Sequence, residues 1–231
     1  MDLKKKTAKD SSYFQSFGAL LKGLQDWSSV LENFPYGLGA LMFYFLLYQS
    51  ELFPSWLSIW GLIGATLLVV MGSFRLFGHS VEFLALPIIL NEGVLAVWLI
   101  VEGFNSSAIS YTVVGVLFII ALVSTIMSGV FLKSIKNPDF LTVVSANEKK
   151  VLIGVLLMTI LSASVVAIPI IMFPILKMYN ESLALGYVIA RIFEGIADAA
   201  MALSQLLLLT LSREYVKAEA PSVKTYVKKD E

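Results

Sequence analysis

Three ionisable side chains, Arg191, Glu194 and Asp198, lie in the middle of the otherwise apolar run 183–211. Steps of three and four residues place all three on one face of a helix. Charge at the centre of a membrane-length helix costs about 2.5–3.5 kcal/mol per group on insertion scales. It persists where the groups pair or line a polar cavity. Asn91 and Glu92 lie about midway along a second apolar run, 83–101, and are expected at the same depth. Three carboxylates then face one guanidinium that stays protonated. Protonation of a carboxyl, a bound cation or admitted water must meet the imbalance. The chemistry on offer is binding of a proton or small cation. The competing reading is a buried ion pair of Arg191 with Glu194 or Glu92 that fixes helix register, although such a pair has no need of Asp198.

The stripe on 183–211 is longer than its charges. Tyr187, Ala190, Arg191, Glu194, Ala197, Asp198, Met201, Ser204 and Gln205 follow at steps of one or three. The other side, with Ile189, Ile192, Phe193, Ile196, Ala200, Leu203 and Leu207, suits lipid. Small residues on the polar stripe allow close approach of a neighbour, so this side is expected to face a bundle. The candidate intramembrane site comprises Asn91, Glu92, Tyr187, Arg191, Glu194 and Asp198.

Other chemistry has little support. The chain has no Cys, which excludes disulfides, thiolate metal sites and a cysteine nucleophile. Its single His, His79, has no ligand pattern around it, so no zinc site is expected. No Ser/His/Asp arrangement or phosphate-cradling loop is evident. Ser162 and Ser164 are expected to bond backbone carbonyls. Gly61 and Ala65 read as a close-packing pair; Gly37 and Gly39, two apart, suggest no shared face. No catalytic residue, cofactor or metal centre is expected, and the balance is against an enzyme. A net charge of zero gives no reason to expect a nucleic-acid partner.

The elements that must hold these residues are membrane helices. Hydrophobic residues make up 58% of the 231, and charged ones 15%, against about 45–50% and 25% in soluble domains. The apolar residues form uncharged runs of membrane length without the period-2 alternation of a barrel. The sequence predicts an all-α polytopic membrane bundle with six transmembrane helices, at 27–50, 55–74, 82–102, 109–132, 150–176 and 182–211. Residues 1–26 form an N-terminal segment with no unbroken apolar stretch of signal-peptide length. Residues 27–211 form the transmembrane domain, and 212–231 a polar tail expected to be disordered. Pro54 suits the start of the second helix; Pro87 and Pro169 are expected to lie within spans and bend them.

Positive charge sets the orientation. With six spans, fifteen Lys and Arg residues fall on the side of the termini, from Lys4 through Arg75, Lys133 and Lys150 to Lys229. Only Lys177 falls on the other. The positive-inside rule then predicts cytoplasmic termini in a multi-pass protein of the cell membrane. Tyr48, Trp56, Trp60 and Trp98 fall near the predicted outer interface and Trp27 near the inner one.

Two stretches carry a family resemblance. One is LYQSELFPSWLSIWG at 47–61 with PIILNEGVLAVWLIVEGFN at 87–105; the other is 147–195, with FPILKMYNESLALGYVIARIFEG from Phe173. Together they resemble an uncharacterised family of small prokaryotic six-helix membrane proteins, the domain of unknown function DUF4386. The resemblance implies the fold and a membrane location, but no activity. Arg191, Glu194 and Glu92 fall in family-like segments; Asp198 lies outside the pattern. The halves stand in exchanged order relative to the family, as in a circular permutation joined at 103–108. That order requires the first and sixth spans to adjoin. Two functions follow as expectations: a small transporter or ion-coupled permease with a midplane carboxylate/Arg site, or a non-catalytic membrane stress, sensory or assembly component with a structural ion pair. The partners expected are the lipid bilayer and a proton or small cation.

Overall fold

The structure is a computed structural model that describes residues 2–106 and 109–227. Eight α-helices and no strand occur among them: α1 (Asp2–Leu31), α2 (Asn33–Ser50), α3 (Ser55–Leu76), α4 (Leu86–Ser106), α5 (Ile109–Phe131), α6 (Phe140–Ala146), α7 (Glu148–Leu176) and α8 (Glu181–Val227). Six helical stretches are long and apolar enough to span a bilayer. They comprise α1–α2 taken together from Ser12, α3, the α4 segment, α5, α7 and the first part of α8. The chain is an all-α, multi-pass integral membrane protein.

The spans form a closed ring in chain order. Each packs on the next, α2 on α3, α3 on α4, α4 on α5, α5 on α7 and α7 on α8, and α8 returns to α2. In this ring the odd-numbered spans run away from the side of the chain ends and the even-numbered spans run back. The side of the chain ends is the near side of the bundle.

Several boundaries differ from those predicted. The first span belongs to a longer helical run that begins at Asp2, inside the segment set apart from the bundle. A single turn residue, Glu32, separates α1 from α2, and Glu32 N–H donates to the Ser28 carbonyl at 2.9 Å, carrying the helix through. Pro87 does not bend a span. It sits second in α4, after a 3-10 turn at Glu82–Ala85, where its missing N–H breaks no intrahelical bond. Pro169 and Pro174 are inside α7. The connection between the fourth and fifth spans contains a 3-10 turn, Leu132–Lys136, and the short α6. α8 continues from the bundle through the segment predicted to be disordered as far as Val227; residues 228–231 lie outside the described residues.

Glycines permit the closest helix contacts. Gly61 lies against the ring of Tyr44, where any β-carbon would clash. Gly39 faces α8, where a β-carbon would stand 3.2 Å from that of Ala190 and 3.4 Å from Arg191 Cδ. Gly37 faces Val69 of α3 instead. These two glycines, two positions apart and without a shared face, thus serve two different interfaces of α2.

Candidate intramembrane site

The buried side of α8 carries the predicted stripe. Tyr187, Arg191, Glu194, Asp198, Met201, Ser204 and Gln205 are buried, while Ile189, Ile192, Phe193, Ile196, Leu203 and Leu207 are exposed to the lipid side. The separation follows from period: polar and small residues recur every three or four positions, so one face turns to the ring and the other to hydrocarbon.

Arg191 pairs within its own helix. Its Nη1 donates to both carboxylate oxygens of Glu194, at 2.9 and 2.7 Å. Nη2 stands 3.9 Å from Glu92 Oε1, a contact across the ring without hydrogen-bond geometry. The guanidinium lies 5.0 Å from the Tyr36 ring centroid and 5.9 Å from that of Tyr187. These are cation–π distances, strengthened where water is excluded.

A cavity of about 240 Å³ opens beside this pair, and all six spans contribute to its lining. Glu32 and Tyr36 come from the first span, Arg75 from α3, Glu82 and Glu92 from the α4 segment, and Arg191, Glu194 and Asp198 from α8. Phe118 of α5 and Val165 of α7 supply apolar wall. Its polar rim reaches the solvent-exposed Glu82, at the near-side turn between α3 and α4.

The far half of the ring is packed. Phe43 stacks on Tyr187 with centroids 4.9 Å apart and meets Tyr44 edge-on at 5.2 Å. Leu47, Leu57, Leu95, Leu99, Ile168 and Met172 complete this cluster. The cavity therefore occupies the near half of the bundle, with an aromatic and aliphatic plug beyond it.

The six predicted residues divide into two groups. Glu92, Arg191, Glu194 and Asp198 come together on the cavity wall. Asn91 and Tyr187 stand outside the lining. Asn91 Nδ2 donates to the Leu57 carbonyl at 2.9 Å and ties α4 to α3, while Tyr187 belongs to the plug. Glu32, Tyr36, Arg75 and Glu82 are lining residues that the sequence reading missed. Glu32 had a visible signal, as the one acidic residue inside the first predicted span. Arg75 and Glu82 lie at span ends, where charge is ordinary and gives no signal.

Charge on the lining is unbalanced. Five carboxylates stand against the guanidiniums of Arg75 and Arg191. Arg75 is occupied with Ser29, donating to its carbonyl at 3.2 Å and its hydroxyl at 3.0 Å. Asp198 is only 1% exposed, and its Oδ1 has no hydrogen-bond partner among the described residues. A buried carboxylate oxygen in that state needs a proton, a cation or water. No group of three or more acidic or histidine side chains among the described residues is placed to hold a metal ion.

Residues 3–103 and 113–228 match a family whose description is "Domain of unknown function (DUF4386)". No curated protein and no solved structure matches the chain.

Proposed function

The chain belongs to the DUF4386 family, and from its own cavity we propose that it is a small ion-coupled permease of the cell membrane, with both termini cytoplasmic. The carrying observation is the buried Asp198 oxygen, with no hydrogen-bond partner among the described residues, on the wall of an acidic cavity lined by all six spans. Such a wall takes up a proton or small monovalent cation from the near side. The dry plug of Phe43, Tyr44 and Tyr187 blocks the far side, as an inward-facing state of alternating access requires. Charge asymmetry between the two sides supports the cytoplasmic assignment of the near side.

The test is flux in liposomes. Protein reconstituted with a trapped pH-sensitive dye, under a proton gradient and then under Na⁺ or K⁺ gradients, is expected to dissipate at least one gradient. Asp198→Asn and Glu92→Gln are expected to abolish that flux while the protein still folds. Flux indifferent to both substitutions would count against the permease.

One observation favours a second reading, a non-catalytic assembly or sensory component. The Arg191–Glu194 pair is complete within a single helix. On that reading, a defined protein co-purifies through the 133–149 connection or the terminal segments, and the amide variants behave as wild type.

A further inference from the structure

One face of α1 is uncovered. Tyr13, Phe17, Leu20, Leu24, Trp27 and Leu31 are all exposed, from 40% at Phe17 to 65% at Tyr13 and Leu20. Their spacing alternates four and three, the narrow seam of a two-stranded coiled coil and not the wider stripe of a helix packed on a globule. The same register runs on into α2, through Leu38, Phe45 and Tyr48, which are exposed as well. The adjoining side of α1 is already occupied by its own bundle. Leu21 is buried, Phe14 meets Tyr215 edge-on at 5.9 Å, and Lys22 Nζ lies 5.6 Å from the Phe140 ring centroid. α1 is thus fixed to its own bundle with the seam turned outward.

Depth decides what can cover the seam. Arg75, in the last turn of α3, holds Ser29, so Ser29 stands level with the near end of that span. Counting back from Ser50, the roughly 20 residues that cross the hydrocarbon end near the same place. Tyr13 lies about 21 Å further along the axis than Trp27, at 1.5 Å per residue. The headgroup layer adds only about 5–8 Å on each side. Lipid tails reach the α2 part of the seam and leave its α1 part bare.

We propose that a second copy of this chain covers the seam, with the two α1 helices parallel about a two-fold axis normal to the membrane. Copies inserted in the same sense can pair these helices only in parallel. One flank of the seam, with Phe14 and Leu21, is already taken by the bundle; the other, Ser16, Gly23 and Val30, carries no charge, so identical helices meet there without repulsion. On that flank, Ser16 and Gly23 are small, and among the described residues nothing stands within 4 Å of a β-carbon built on Gly23. Three aromatic and three leucine side chains from each copy, partly covered, bury roughly 1,000 Å² in total, the size a specific interface needs.

The Cys-free chain makes a clean test. Full-length protein in membranes at low density, carrying Leu20→Cys, is oxidised and run on a non-reducing gel beside Gln15→Cys, which lies opposite the seam. Leu20→Cys is expected to convert most of the protein to a covalent dimer, because matching seam positions fall within disulfide reach, and Gln15→Cys to leave it monomeric. Cross-linking of both variants to the same extent overturns the proposal, as random collision would do this. So does Leu20→Cys that stays monomeric while the bilayer shields it from a water-soluble maleimide, since the seam then lies on lipid. Leu20→Glu with Leu24→Glu, outside the bundle core, gives a second readout: single-molecule photobleaching is expected to shift from two steps to one. Wild type bleaching in one step throughout would also overturn the dimer.

Discussion

Gly39 of α2 and Arg191 of α8 are in direct apposition: a β-carbon on Gly39 would stand 3.4 Å from Arg191 Cδ. The first span therefore supports the stem of the arginine whose head pairs with Glu194. Ring closure and the position of the central charge are one packing event.

Removing that charge leaves Glu194 buried without its partner. Arg191→Met is expected to destabilise the folded protein by about 3–5 kcal/mol, the usual cost of breaking a buried pair. Adding Glu194→Leu is expected to restore most of it, because the orphaned carboxylate is gone. Unfolding midpoints in a mild detergent measure both; a double variant no better than the single one would show that the pair is not the cause.

The α2–α3 contact is sensitive to one methyl group. Gly61→Ala is expected to lower stability by about 1–3 kcal/mol, since its β-carbon overlaps the Tyr44 ring and the core must shift. Gly129→Ala in α5 meets nothing within 4 Å. It is expected to be neutral or to stabilise by up to about 1 kcal/mol through helix propensity. Equal effects from the two substitutions would contradict the packing described.

Interhelical hydrogen bonds to backbone carbonyls hold two of the ring's seams. Asn91→Ala removes the bond to Leu57 and Ser162→Ala the bond from its hydroxyl to the Gly195 carbonyl, 2.8 Å long. Each loss is expected to cost about 0.5–2 kcal/mol, the range for interhelical bonds in membranes. Asn91→Ala is expected to leave the flux proposed for the cavity largely intact, because Asn91 lies outside the lining. Liposome flux and detergent unfolding, measured on the same preparations, separate the two effects.

Glu32 gives a sharper functional prediction. Glu32→Gln keeps the shape of the side chain and removes one carboxylate from the cavity wall. Flux is expected to fall at least about tenfold, with the unfolding midpoint close to wild type. Unchanged flux would remove Glu32 from the proposed pathway.

The bundle itself was legible in the sequence because lipid leaves few choices. Uncharged runs of membrane length form helices, and the polar stripe at 187–205 must turn inward. Glu92, Arg191, Glu194 and Asp198 were readable for the same reason, since charge is conspicuous at mid-span. Their closure on one cavity depends on which spans adjoin, and a periodic pattern within one helix carries no such information. Glu32 was visible as the one acidic residue inside the first predicted span, but as a single charge on its helix it forms no stripe. Asn91 was readable as buried, but its attachment to Leu57 depends on the α3–α4 pairing. Tyr187 was placed on the correct face and assigned to the cavity; its ring stacks on Phe43 because the far half of the ring is filled by aromatics.

The uneven filling of the ring has an electrical consequence. Water in the near half would hold that region close to the potential of the near-side solution, while the packed layer of Phe43, Tyr44 and Tyr187 acts as the insulating dielectric. The membrane voltage then drops mainly across that thin layer instead of the full hydrocarbon thickness. On the proposed permease reading, a charge arriving at Asp198 would cross little of the field, and nearly all of the roughly 2.3 kcal/mol per 100 mV would be met in passing the aromatic layer.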